Sequence, residues 1–352
     1  MKDRHFISFI LSIYGLAMTL LVSCSHDHLY YETVGREKVQ FNIDWSHTRF
    51  MEGSKDYDAD NWLNGVTIFA FDAKTQRLYS ELPPDPNWLS PVVRLDEGTY
   101  HMVLINDSRA ELPAIKFTTD ALFEDFCAYT EGDTVKTNYP DYLAVSTVSD
   151  VTFQPAQKDY YYDMPDEYYQ DFVVKQINTV QRPVTKKINI RVYVKGMNYC
   201  RGMLPSYITG MSKSINLATR KPGREQTVYA FNLINREFRN SDYTEAILTQ
   251  SFNSFGFSTD NLMSDTTFEL KLNFVLVDNT TYTVTADVTK QFEDWYLEHK
   301  VEVDLDLDLD IDLDIDVNIE VELPPVVENP ETVGGMAPET VPWNDIIQNI
   351  EL

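Results

Sequence analysis

Apolar and polar residues alternate along most of this chain with a period of two, the repeat of a strand that buries one face and wets the other. Val39, Phe41, Ile43 and Trp45 share one side, and Gln40, Asn42 and Asp44 share the other. The pattern returns in Ile188, Ile190, Val192 and Val194. Further strands are predicted over residues 65–71, 92–95, 99–105, 227–233, 268–277 and 282–288, with weaker candidates at 123–129 and 142–148. Turn residues punctuate them: Asp96-Glu97-Gly98, Asn106-Asp107 and the hairpin signal Asp278-Asn279. Between 194 and 227 the chain is broken by Gly196, Gly202 and Gly210. Helical spacing is confined to residues 242–249 and 289–299. Strands of this length between turn signals predict an all-β chain of sandwiches rather than βαβ units.

The alternation is most regular over residues 301–323, where every odd position is Val, Leu or Ile and every even one is Asp or Glu, except Asn318. One face is therefore wholly apolar and the other carries ten carboxylates. Fully extended, the segment reaches about 75 Å at ~3.3 Å per residue, well beyond an ordinary strand. One end is expected in a sheet, with the rest crossing an edge or protruding. Calcium is a tempting ligand, but carboxylates at i and i+2 stand roughly 7 Å apart on a strand, and the glycine of a tight calcium loop is missing. Diffuse attraction of cations fits better, as does a gatekeeping role against edge-to-edge aggregation.

The N-terminus follows another grammar. Lys2 and Arg4 precede an uncharged apolar run over 6–22, which ends in Leu21-Val22-Ser23-Cys24. A basic start, a short apolar core and small residues at the cleavage site define a signal peptide. The run is shorter than a comfortable bilayer span. Cys24 after a small residue is the pattern a lipoprotein signal peptidase requires, so Cys24 is the predicted lipidation site. Several acyl chains on one cysteine anchor stably where a single chain is marginal. No later segment is long and apolar enough for a second span.

Composition narrows function. The 352 residues carry a net charge of -26. Cleavage before Cys24 removes Lys2, Asp3 and Arg4, leaving 27 basic against 54 acidic residues, or -27. Such a chain repels nucleic acid and shows no basic patch. After lipidation only Cys127 and Cys200 remain, either bonded or as two buried thiols. No metalloprotease, serine-hydrolase, phosphate-loop or dinucleotide motif occurs, and paired catalytic carboxylates cannot be singled out, so no enzyme, cofactor or metal site is predicted. His26 and His28 flank Asp27 in a tether beside the lipid anchor and read as solvated residues. Asp133-Thr134-Val135 and Asp265-Thr266-Thr267 match a bacterial O-glycosylation sequon. A Pro- and Tyr-rich stretch, 154–170, reads as an inter-domain loop, with its tyrosines either on a sheet edge or forming a glycan platform.

Several of these features occur together in one family. The order is lipobox, the strand Val39-Gln-Phe-Asn-Ile-Asp-Trp45, then Leu95-Asp-Glu-Gly-Thr-Tyr-His-Met-Val-Leu-Ile-Asn106. A Gly-containing mid-section, Tyr207-Ile-Thr-Gly-Met-Ser-Lys-Ser-Ile-Asn-Leu217, and Asp287-Val-Thr-Lys-Gln291 follow. In this order the chain resembles the fimbrillin-like lipoproteins of Bacteroidales, an uncharacterised domain family grouped with fimbrial anchor and accessory subunits. The resemblance spans nearly the whole mature chain, although the acidic strand is longer than the family's usual terminal strand. It implies two transthyretin-like or Ig-like β-sandwich domains in tandem on an outer-membrane lipid anchor, exposed at the cell surface. The expected organisation is a lipoprotein signal peptide (1–23), a lipidated tether (24–37), an N-terminal sandwich (38–170) and a C-terminal sandwich (171–352) that includes the acidic strand 301–323. The implied partners are the membrane and a fimbrial subunit protein joined by strand addition. A glycan-binding surface lipoprotein of a polysaccharide-uptake system, with Tyr and Trp as stacking platforms, is the rival reading. A cation-dependent adhesin using the acidic strand is a third.

Overall fold

The computed structural model describes residues 37–51, 63–133, 136–154, 175–262, 266–300 and 314–327. The first half runs β1 (Lys38–Asp44), β2 (Val66–Asp72), β3 (Leu78–Asp85), β4 (Val92–Arg94), β5 (Gly98–Asn106) and β6 (Lys116–Phe117). Next come β7 (Cys127–Tyr129), β8 (Gly132–Asp133), β9 (Lys136–Asn138), β10 (Ala144–Phe153), β11 (Lys175–Val180) and β12 (Arg182–Pro183). The second half holds β13 (Lys186–Lys195), β14 (Cys200–Ser212), β15 (Ser214–Asn216), β16 (Gln226–Phe231), β17 (Asn235–Phe238) and β18 (Glu245–Ser254). It continues with α1 (Thr259–Leu262), β19 (Glu269–Leu276), β20 (Thr281–Asp287), α2 (Thr289–Glu298) and β21 (Ile315–Glu322). The all-β expectation holds.

The first half is three-layered. Its central sheet, in the order β12-β10-β5-β2-β3, is buried on both faces. Ile68, Ala70, Met102 and Leu104 face a core shared with the outer sheet β11-β1-β4, where Phe41 and Trp45 lie. Phe69, Phe71, Val103 and Ile105 face a second core. That double burial explains why β2 and β5 read as near-continuous apolar runs while β1 alternates cleanly. The second core is closed by the small sheet β15-β7-β6, to which the second half lends β15, and by Ile215, Leu217 and Phe255. In return, β9 pairs in parallel with β16. The halves therefore share a core and two sheets.

The second half packs the sheet β17-β18-β13-β21 against the sheet β20-β19-β14-β16-β9-β8, with α2 along one side. The hairpin at Asp278-Asn279 forms as read, with Asn279 at φ 67°. Of the glycine-punctuated stretch, Gly196 turns the chain after β13 with φ 76°, while Gly202 and Gly210 lie inside the 13-residue strand β14, whose pairing with β16 shifts register between Ile208 and Met211. Gly210 sits at that bulge with φ 83°, and a Cβ there would overlap the Phe268 ring. Residues 289–299 give α2 as expected. Residues 242–249 do not form a helix: β18 occupies 245–254, paired to β17 on one side and β13 on the other. Ala246, Leu248 and Phe252 are buried there, and sheet pairing on both sides overrides a short helical spacing.

Each half closes in the same way. β1 pairs in parallel with β11, and β13 pairs in parallel with β21, so the first strand of each half lies beside its last long one. β11 and β12 lie beyond residue 170 and yet pair with first-half strands, so the change of sheet falls between β12 and β13. Ile177 packs on the β1 core, which ties this stretch to the first half.

Candidate functional site: the acidic strand and the sheet edges

β21 is the described end of the acidic segment, and residues 301–313 lie outside the described residues. Ile315 and Val317 are fully buried, Val321 and Leu323 nearly so, while Asp316, Asn318, Glu320 and Glu322 are exposed. The period-two reading thus holds here, with the apolar face completing the second-half core.

The acidic face is balanced locally. In the parallel register Lys195 stands opposite Glu322 on one side and Glu245 on the other. Asn189 donates to Asp316 (2.9 Å) and accepts from Ser251 Oγ (2.7 Å), which links β18, β13 and β21 across their outer face. The Tyr193 hydroxyl donates to Glu245 (2.5 Å), and that carboxylate raises the phenol's pKa.

The other edge of β21 is clamped by α2. The Gln291 side chain donates to the Asn318 carbonyl (3.0 Å) and accepts from the Asn318 amide (2.9 Å), as a neighbouring strand would. Trp295 Nε1 donates to the Asp314 carbonyl (2.8 Å). One flank of this strand is therefore paired with β13, and the other has its Asp314 and Asn318 backbone groups engaged.

The remaining edges differ sharply. β3 carries Pro83 and Pro84 and two register irregularities, features that blunt an edge. β4, β6, β8 and β12 span two or three residues each, and β17 only four. Among the described residues β11, six residues long, flanks only β1, and β20, seven residues long, flanks only β19 and has Thr281, Thr283 and Thr285 exposed.

Among the other predicted residues, Cys24 and the tether with His26 and His28 lie outside the described residues, as does most of 154–170. Each Asp-Thr sequon is only partly described. Cys127 and Cys200 are both free thiols, and burial raises both pKa values, that of Cys200 to about 11. Trp45 and Trp295 are buried in the cores and Trp88 is half-buried against Trp45, so these indoles serve packing rather than a stacking platform. No group of His, Cys, Asp and Glu that could hold a metal occurs among the described residues. No helix among them is long and apolar enough to cross a membrane.

Sequence reasoning missed the α2 clamp and the open β20 edge. Gln291 is one of several polar residues of a short helix, and nothing local in the sequence marks its partner 27 residues on. That a strand lies at an edge is likewise a property of the sheet order.

No protein-family profile matches the chain, and no curated protein sequence matches it. Solved structures do. A candidate adhesin of Bacteroides ovatus superposes with a TM-score of 0.51 at 16% identity, covering 87% of this chain and 98% of that one. A candidate adhesin of Bacteroides thetaiotaomicron gives 0.47 at 10% identity, over 83% and 92%. The fimbrial anchor protein of Porphyromonas gingivalis gives 0.43 at 11%, over 81% and 90%. The first likeness establishes a shared fold across nearly the whole of both chains. Two of these structures are of candidate adhesins and the third is of a fimbrial anchor protein.

Proposed function

We propose that the protein is an outer-membrane surface lipoprotein, anchored through Cys24, that serves as a non-enzymatic accessory or anchor subunit of a fimbria and assembles by β-strand addition. The observation that carries this reading is the edge inventory of an all-β fold shared with a candidate adhesin. Most described edges are short, proline-marked or clamped, while two longer ones, β11 and β20, each flank a single strand among the described residues, which is the economy of a molecule that pairs at chosen places. A strand added to such an edge gains main-chain hydrogen bonds, and its alternate side chains fill the adjacent core. The lipobox supplies the fixed end.

Two measurements test it. Cys24→Ala is expected to abolish labelling by radioactive palmitate and to move the protein from the outer-membrane fraction to the soluble one. Deletion of the chain is expected to leave fimbriae shed into the medium or reduced in number by electron microscopy. Unchanged fimbriae on a deletion strain contradict the assembly role, and unchanged palmitate labelling in the Cys24 variant contradicts the anchor.

A further inference from the structure

We infer that β20 is the strand-accepting edge of this protein, and that its occupant is an extended segment of another subunit with alternating apolar residues and a basic residue at one end. The inference rests on the strand-addition reading and specifies where it happens.

In the β19–β20 ladder Leu276 N donates to Thr280 O (2.8 Å) and Val288 N to Phe268 O (2.9 Å). Even-numbered residues of β20 therefore bond inward to β19, and the backbone groups of Thr281, Thr283, Thr285 and Asp287 point to the open side. One strand further in, Leu270, Leu272, Phe274 and Leu276 are at most 2% exposed. On β20 the core-facing Tyr282, Val284 and Ala286 remain only half-buried against that same core. Among the described residues the core ends one strand short here, and apolar residues on an added strand, opposite these three, would complete it.

Charge identifies the occupant. Glu269 and Asp287 are opposite each other and both exposed at one end of the hairpin, while Lys271 stands opposite Thr285. With the whole chain at -26, a second copy is repelled and a strand bringing Lys or Arg to Asp287 is favoured.

The probe is a ten-residue peptide of alternating Val and Thr, ending in either Lys or Glu, added to the full mature chain while backbone amide exchange is followed by NMR. The Lys peptide is expected to slow exchange at Thr281, Thr283 and Thr285 at least tenfold, and the Glu peptide to do so less. Thr283→Pro removes only an outward-facing N–H and is expected to abolish the protection. Thr285→Lys is expected to weaken binding of the Lys peptide and Thr285→Glu to strengthen it, a sign reversal that loss of folding cannot imitate. Protection that appears without peptide as protein concentration rises assigns the edge to a second copy and overturns the inference. So does protection confined to β11 or β21, or binding indifferent to the Thr285 charge. In cells, fimbriae altered by chain deletion but normal with Thr283→Pro overturn the β20 assignment while the fimbrial reading stands. Fimbriae indifferent to deletion overturn that reading, whatever the peptide result.

Discussion

Asp107 shows how much a single residue must reconcile. It sits at the end of β5 with φ 61°, a left-handed conformation that Asp tolerates better than most side chains. Its Oδ1 accepts from the Asn64 amide (2.9 Å), its Oδ2 accepts from Asn106 Nδ2 (2.9 Å), and its carbonyl accepts from Thr67 Oγ1 (2.7 Å). The residue is only 8% exposed, and burial, partly offset by these donors and by Arg49, raises its pKa above the ordinary 3.8. Arg49 itself lies over the Tyr142 ring at 4.3 Å. A carboxyl whose folded pKa exceeds its unfolded one favours the fold when protonated. That contribution is complete below pH 3.8 and is lost as pH rises through the folded value. Carbon-detected NMR of the Asp107 carboxyl is accordingly expected to give a midpoint above 3.8, and a midpoint at or below it contradicts the account. The dipeptide Asn106-Asp107 was legible as a turn, but the burial of its carboxyl was not. Burial is a property of the packed fold, in which the neighbouring Asn106 Nδ2 donates to the Tyr142 carbonyl (3.3 Å) from 36 residues away.

At the scale of elements, β21 and α2 form a unit. Gln291→Ala removes both side-chain hydrogen bonds to Asn318 but leaves those backbone groups near solvent, so a loss of about 1 kcal/mol is expected in urea unfolding. The variant is also expected to scatter more light on concentration, because a hydrogen-bonding edge has been uncovered. A stability unchanged within error sinks the clamp as an energetic feature. The strands of this unit were legible because their period of two reflects one buried face, and α2 because its apolar residues Phe292, Trp295 and Tyr296 follow helical spacing. Residues 242–249 misled because eight residues fit either period, and only pairing on both sides decides. β14 was obscured by glycines that mark bulges in a long strand rather than breaks between short ones.

For the whole molecule, the shared second core makes the two halves one cooperative structure. Phe255 belongs to the second half yet is fully buried among Phe71, Phe126 and Leu143 of the first. Phe255→Ala is expected to cost about 3–5 kcal/mol and to destabilise both halves together. Fluorescence of the first-half Trp45 and Trp88 and of the second-half Trp295, each isolated by replacing all the other tryptophans with Phe, Trp62 and Trp343 included, checks this, because unfolding midpoints that separate contradict the coupling. The all-β sandwich class was foreseeable from strand spacing. The three-layered first half and the exchange of β9 and β15 were not, since they arise from contacts between segments more than 80 residues apart.

The parallel closure of each half bears on a molecule tethered at one end and pulled at the other. When β1 is drawn from its start and β11 from its finish, the two strands slide past each other, and every rung between them is strained at once. An antiparallel pair pulled from adjacent ends would instead part like a zip, one rung at a time. β13 and β21 repeat the arrangement in the second half. In the proposed arrangement, with the N-terminus held by lipid and the far end tugged by a filament, tension would run along the direction in which these sheets resist most.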